Sequence, residues 1–385
     1  MIRTRGRPIC RTTSSASVMR LAMRSSTPAR LPPRSLYASL HRMLLHIGSL
    51  KPTASVLSSF ECATTDATPV VSQVITKLAT TLQQKLPEFA SHPQQHWRKI
   101  EGFIYCLRQS ISTNDPTFFD APVVGELLQL LPTLPAVGQL QATAIRTVGT
   151  YSNWLSKNEH LLPPMLTFVS NGLANEGTAA AASQAMRHLC DSCAEHLAGE
   201  QTMRQLLQMY LGTLQLQLTS ADRVDLIAAL AFVISQMKFV HIFPAMQAIA
   251  QPLVNRMTTI LHRTDSSAAE IAIGLEQLCA LLRGVAPSRS ALEEQAAASV
   301  DHPCVQMLQG CWEVLEAIFR RHGSSSNCME KLCRCYKHTA RNCGEGFRAV
   351  VHRLIPQVST WQSISLSGIP HSHQPRSCDP CCGCR

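Results

Sequence analysis

Apolar positions recur with helical spacing from about Thr68 onward, in a run of amphipathic segments separated by short breaks. No stretch alternates apolar and polar residues between turn dipeptides, so strands are not expected. The polar segment between Gly284 and Asp301 is predicted to be a loop. The pattern predicts helices that begin near Pro69, Gln95, Pro122, Val137, His160, Gly177, Gln201, Ser220, His241, Ser266, His302, Asn327 and Phe347.

The predicted helix starts fall into two alternating sets with a common period. The first set, with intervals of 38, 41 and 40 residues, comprises Pro122, His160, Gln201 and His241. The second set, with intervals of 40, 43 and 46 residues, comprises Val137, Gly177, Ser220 and Ser266. Two helices in about 40–47 residues is the spacing of HEAT or armadillo repeats. The predicted fold is therefore all-α: a solenoid of HEAT-type helical hairpins, each packed on its neighbours.

The composition agrees with a helical protein and changes how the charge is interpreted. Hydrophobic residues make up 45% of the chain and aromatic residues only 5%, a balance that favours helices over sheets. Trp97, Trp154 and Trp312 occupy apolar helical positions and are predicted core anchors. Residues 1–60 hold nine Arg, one Lys and no acidic residue, which leaves 25 basic and 25 acidic residues in 61–385. Because the body is neutral, direct binding to nucleic acid is not predicted.

Three regions follow from these patterns. Residues 1–60 form a basic arm with two interpretations: a disordered or non-native start, or a mitochondrial transit peptide. Residues 61–362 form the predicted solenoid, and residues 363–385 form an unstructured Cys-rich tail. No apolar run reaches the roughly 18 residues that span a bilayer, so no membrane association is predicted. Many of the sixteen Cys lie inside helical patterns, which favours buried, reduced thiols.

No sequence motif indicates an enzyme, a cofactor or a metal ion. The chain contains no Walker A loop, GxGxxG, HExxH or GxSxG motif. The segment HLCDSCAEH resembles a zinc site, but on a helix its four candidate ligands spread over about 12 Å of axis and cannot converge. Those four are His188, Cys190, Cys193 and His196. The tail cluster CDPCCGCR has no second CxxC module beside it, so it is not predicted to bind zinc either.

A row of basic residues is the strongest candidate for a binding site. Arg334, Lys337 and Arg341 fall within roughly a 60° fan on one helix face. We call these three residues the basic stripe, and Lys331 extends it by one turn. The opposite side is largely apolar and consists of Leu332, Cys335, Tyr336, Thr339 and Cys343. Two interpretations are open: a solvated charged face, or a docking surface for an extended anionic peptide such as a phosphoserine-rich one.

A family resemblance runs through the same residues. The segments that carry it are HWRKIEGFIYCLRQSI, AIRTVGTYSNWL, GTAAAASQAMRHLCDSCAEHL, HPCVQMLQGCWEVLEAIF, CMEKLCRCYKHTARNCGEGF and LIPQV. In this order they resemble the central HEAT repeats of importin-β-type (karyopherin) nuclear import receptors, and within that family those of transportin-SR. The resemblance covers about residues 60–362. A paralogous importin is the alternative within the family.

The resemblance implies a function, partners and site residues. In the family, the matching basic stripe recognises Arg/Ser-rich segments of splicing factors, preferably phosphorylated. It implies Arg334, Lys337 and Arg341 as cargo contacts, with Lys331 compensating for Lys337, where the family pattern has Arg. Shuttling between nucleus and cytoplasm is implied, with nucleoporins and the small GTPase Ran as further partners. The repeats that bind Ran are not recognisable in residues 1–60. The alternative is a non-enzymatic HEAT scaffold for some other protein assembly.

Overall fold

A computed structural model describes residues 80–88, 91–111 and 122–356, all within one compact unit that comprises residues 68–385. The predicted arm (1–60), the tail (363–385) and the helix start near Pro69 lie outside the described residues. Where the chain is described, it contains helices and turns but no β-strand. None of these helices is both long and apolar enough to cross a bilayer.

The helices are numbered in chain order. In the first half they are α1 (80–88), α2 (Pro93–Ile111), α3 (Pro122–Leu130), α4 (Gly138–Thr150), α5 (Ser152–Leu155), α6 (Leu162–Gly172), α7 (Glu176–Ser192), α8 (Ala194–Leu197) and α9 (Glu200–Thr213). In the second half they are α10 (Ser220–Ser235), α11 (Phe239–His262), α12 (Ala268–Gly284), α13 (Arg289–Ala298), α14 (Pro303–Gly310), α15 (Trp312–His322), α16 (Ser326–Cys343) and α17 (348–356).

The helices pack in two layers of a solenoid. In one layer α2, α4, α7, α10, α12 and α16 each pack against the next member of the series. The second layer contains α3, α6, α9, α11, α14 and α15, and all of these except α3 pack on a following helix of the first layer. The predicted all-α solenoid is thereby confirmed. Every predicted helix start within the described residues lies no more than two residues from an observed one.

The segment between Gly284 and Asp301 differs from its prediction as a loop, because it contains helix α13. Its N-cap is Ser288, whose side chain accepts a hydrogen bond from the backbone N–H of Ala291. The residues that follow are strong helix formers, but only Ala291 is buried. A short helix that is polar on nearly all sides gives little hydrophobic periodicity, so the pattern did not reveal it.

Buried side chains and cross-repeat polar contacts hold the layers together. Trp154 and Trp312 are buried as predicted, whereas Trp97 is only half-buried. Between α7 and α10, Arg187 pairs with Asp225 at 2.8 Å, and the Ser183 hydroxyl donates to Asp222 at 3.2 Å. Of the ten cysteines of the described residues, eight are buried. The core therefore uses thiols as small apolar groups, as the sequence predicted.

Candidate functional site

Helix α16 carries the basic stripe on its solvent side. The Ser325 side chain caps the helix by accepting a hydrogen bond from the backbone N–H of Cys328. Arg334, Lys337 and Arg341 are all exposed. On the opposite side Leu332, Cys335 and Thr339 are fully buried, while Tyr336 and Cys343 are partly buried. The helix is thus amphipathic in the orientation that the sequence predicted.

The backbone of α12 fixes the orientation of α16. The thiol of Cys328 donates to the carbonyl of Ala268 at 3.0 Å. At the other end, the Asn342 amide donates to the carbonyls of Leu282 and Val285 at 2.8 and 2.9 Å. Because both ends of α16 are tied to α12, the helix cannot turn about its axis without breaking hydrogen bonds. The basic stripe is therefore held towards solvent.

The four predicted cations differ in their exposure and in their ion-pair partners. Lys331 is largely buried, with 15% of its side chain exposed, and its ammonium pairs with Glu276 of α12 at 3.0 Å. Arg334 is half-exposed and pairs with Glu330, one turn earlier in the same helix. Lys337 and Arg341 form no ion pair with any described residue. The structure thus leaves two cations of the basic stripe fully available, a third held by an exposed carboxylate, and Lys331 committed to helix packing.

Arg283 belongs to the same surface and was not found from the sequence. It lies exposed in the last turn of α12. Burial lowers the pKa of His338, and the nearby charges of Arg283, Lys337, Arg341 and Arg334 lower it further. Arg283 therefore lies close enough to His338 for its charge to act together with those of the basic stripe. No sequence signal within α16 could have indicated Arg283, because it comes from the neighbouring hairpin.

The zinc-like segment does not assemble a site. Cys190 and Cys193 are buried, and burial raises the pKa of the Cys193 thiol to about 11. His188 and His196 point away from them at the surface, where His196 lies 3.0 Å from Glu159. The arrangement is the one expected from helical geometry, with the sulfurs in the core and the imidazoles exposed. The tail cysteines lie outside the described residues.

Two segments match families of protein domains. Residues 121–209 match the third TPR domain of transportin-3/importin-13, and residues 302–368 match the fourth. The second match includes all of α16 and hence the basic stripe. Arg283 falls between the two matched segments.

Relatives that match a larger part of the chain are also named transportins or importins. Transportin MOS14 of Arabidopsis thaliana is 27% identical over 264 residues, which are 65% of this chain and 25% of that protein. Importin-13 of Homo sapiens is 19% identical over 310 residues, which are 77% of this chain and 31% of that protein. Importin-13 of Gallus gallus has the same identity and coverage. The chain thus spans between a quarter and a third of the length of these relatives.

Fold and surface together define a helical-repeat protein with a cationic face on one hairpin. The two domain matches and the relatives support the importin-β family for this chain. This agrees with the family resemblance in the sequence.

Proposed function

We propose that this chain acts as a nuclear import receptor of the transportin-SR type, and that the basic stripe binds phosphorylated Arg/Ser-rich protein cargo. The observation that carries the proposal is the exposure of Lys337 and Arg341 without an ion-pair partner among the described residues, beside Arg334 and Arg283. The role is non-enzymatic. On this proposal the chain shuttles between nucleus and cytoplasm, with Ran and nucleoporins as further partners. The relatives give no support to the mitochondrial alternative.

The spacing of the basic stripe suits a phosphorylated Arg/Ser repeat. Arg334 and Lys337 are separated by about 4.5 Å along the helix axis, and Lys337 and Arg341 by about 6 Å. In an extended peptide, alternate residues lie about 6.6 Å apart and point to the same side. A chain with phosphoserine at every second position can therefore place successive phosphates near successive cations. The arginines bind phosphate through two parallel N–H groups, and Lys337 binds as a point charge.

Binding of the full chain to a phosphorylated Arg/Ser-repeat peptide tests the proposal. Replacing Arg334, Lys337 and Arg341 with alanine is expected to weaken binding on the order of tenfold, because exposed ion pairs contribute about 0.2–1 kcal/mol each. Fluorescence anisotropy of a labelled peptide measures the change. Affinity for the unmodified protein should also fall as salt rises, since exposed charges are screened over about 8–10 Å.

A matched control removes the same charge elsewhere. Arg204, Arg289 and Arg320 are exposed, and each pairs with a glutamate one turn away in its own helix. Their triple alanine variant should bind the phosphopeptide within about twofold of the unmodified chain. Equal losses in both triple variants would indicate a general charge effect. Equal affinity for phosphorylated and unphosphorylated peptide would exclude the basic stripe as a phosphate site and favour the scaffold hypothesis.

Alanine substitution of Lys331 is expected to affect mainly stability, whereas that of Lys337 is expected to affect mainly phosphopeptide binding. Lys331→Ala should lower the free energy of unfolding by about 1 kcal/mol, because it removes the charged hydrogen bond to Glu276, and should leave phosphopeptide affinity within about twofold. Lys337→Ala should weaken binding about two- to fivefold and change stability by less than about 0.5 kcal/mol. Urea unfolding and peptide anisotropy measure the two quantities. Equal binding losses would mean that Lys331 leaves Glu276 to meet the ligand.

A further inference from the structure

A cluster of soft metal-binding side chains lies where the start of α14 meets the end of α16. His302, Cys304 and Cys343 each offer one ligand atom there, and these atoms lie within 4.8 Å of one another. The Cys343 sulfur is 3.0 Å from Nδ1 of His302. His302 and Cys304 are buried, while Cys343 is only half-buried. The three residues therefore form a compact cluster that is buried at His302 and Cys304 and reaches the surface at Cys343.

Backbone geometry positions each of the three side chains. His302 is the N-cap of α14, and its Nδ1 accepts a hydrogen bond from the backbone N–H of Cys304 at 3.2 Å. The thiol of Cys304 lies 3.6 Å from the carbonyl of Val285. Cys343 is the last residue of α16 and precedes Gly344, whose positive φ of 52° ends the helix. The cluster is thus fixed by two helix ends rather than by a flexible loop.

Nδ1 is the nitrogen of His302 that faces the cluster, since it lies 3.0 Å from the Cys343 sulfur. Because Nδ1 accepts the hydrogen bond from the backbone N–H of Cys304, it presents a lone pair there. A neutral imidazole nitrogen and two sulfur atoms are the ligands that zinc and other thiophilic metals take in proteins. The three side chains therefore offer a donor set suited to such an ion.

We propose that His302, Cys304 and Cys343 bind a Zn²⁺ ion through two thiolates and one imidazole. In a tetrahedral site with Zn–S near 2.3 Å and Zn–N near 2.0–2.1 Å, ligand atoms lie about 3.5–3.8 Å apart. The observed separations bracket this distance, so small side-chain shifts complete the geometry. Binding releases the two thiol protons, and the loaded cluster is neutral, which suits a buried position. The half-buried side of Cys343 leaves the fourth position to solvent.

A Zn²⁺ ion at the proposed site would cross-link α14 and α16. Nδ1 of His302 exchanges its hydrogen bond from Cys304 for the metal, and the ion then joins the first turn of α14 to the last residue of α16. The basic stripe ends two residues earlier, at Arg341. The proposal does not depend on cargo binding, because it rests only on the three side chains and their geometry.

Cobalt and zinc titration of the reduced full-length chain tests the site. The tail cysteines are first replaced by serine, since they could also take up metal: Cys378, Cys381, Cys382 and Cys384. In this background the chain is expected to bind one equivalent of Co²⁺ with the visible absorption of tetrahedral thiolate ligation, and Zn²⁺ should displace it. Zn²⁺ should also raise the melting temperature of the background protein.

Variants of the ligands separate this site from other thiols. His302→Asn and Cys343→Ser are expected to weaken metal binding by more than the roughly 10–100-fold that follows loss of an outer-shell partner. Asparagine can still cap α14, so His302→Asn removes the ligand while the helix start is kept. Cys335→Ser is the control, because Cys335 pairs with another buried thiol, Cys279, and should leave metal binding unchanged.

Three outcomes would overturn the proposal. The background protein could bind no Co²⁺ or Zn²⁺ in the reduced state, or Cys343→Ser and His302→Asn could both bind as tightly as the background. Third, Cys335→Ser could lose the metal as fully as Cys343→Ser while circular dichroism shows both to be folded. If Cys343→Ser fails to fold, His302→Asn alone decides the result.

Discussion

Replacing Trp312 with alanine is expected to destabilise the last described hairpins by about 3–5 kcal/mol, the usual loss for a large aromatic side chain removed from a core. Trp312 is 4% exposed and forms a buried cluster with Val305 and Val350. Its ring lies 6.1 Å from that of Tyr336 in α16, and the Arg353 guanidinium stands 4.8 Å above it. One side chain thus joins α14, α15, α16 and α17.

Urea unfolding measures the size of this loss, and hydrogen exchange shows where along the chain it occurs. Repeats in a solenoid contact mainly their neighbours, so amides of α14–α16 should lose protection in Trp312→Ala while those of α4 and α7 keep it. Trp97→Ala is the control: Trp97 is half-buried in α2 and its removal should cost less than about 2 kcal/mol. A uniform loss of protection along the chain would contradict the expected local effect.

Gly149→Ala is expected to lower the free energy of unfolding by about 1 kcal/mol, although alanine is the better helix former. A Cβ at position 149 would lie 2.9 Å from the Cα of Ala185 and 3.1 Å from its Cβ. These atoms belong to the rigid part of α7, so no rotamer change can relieve the contact. Overpacking at the middle of its usual range of about 1–3 kcal/mol therefore exceeds the helix-propensity gain of about 1 kcal/mol.

Gly212 provides the matched control for this substitution. Like Gly149, it is the second-last residue of its helix, but nothing lies within 4 Å of a Cβ built there. Gly212→Ala should stabilise the protein by about 0.5–1 kcal/mol, since only the propensity gain operates. Thermal or urea unfolding of both variants would show opposite signs. Stabilisation by both would mean that α4 and α7 can separate at little cost.

The solenoid was predictable because its signals are local. Hydrophobic periodicity marks each amphipathic helix, and a break in it marks each start, for example at Pro122 and at Ser220. Helix α13 lacked that signal, because its helicity comes from propensity and from the Ser288 cap rather than from an apolar face. The repeat period was enough to define the fold, whereas an inserted helix outside the period was not detected.

The basic stripe was predictable only in part, because some of the residues around it belong to other hairpins. The face of α16 on which Arg334, Lys337 and Arg341 lie follows from residue spacing alone. The pairing of Lys331 does not, since Glu276 is 55 residues away in α12. His302 and Cys343 are separated by 41 residues, so their cluster has no compact sequence motif. Contacts between helix ends of different hairpins are visible only once the packing is known.

Glu330 competes with any incoming ligand for Arg334, because the two side chains already form an ion pair. On the proposed function, an incoming ligand must displace a carboxylate that is already seated on this guanidinium. A cargo carboxylate would merely replace one monoanion by another and gain little from the exchange. A phosphate carries a charge of about −1.5 to −2 at pH 7 and three acceptor oxygens, so it gains from the same exchange. On the proposed function, Glu330 would therefore favour phosphorylated over carboxylate ligands at Arg334, by no more than the roughly 0.2–1 kcal/mol of an exposed ion pair.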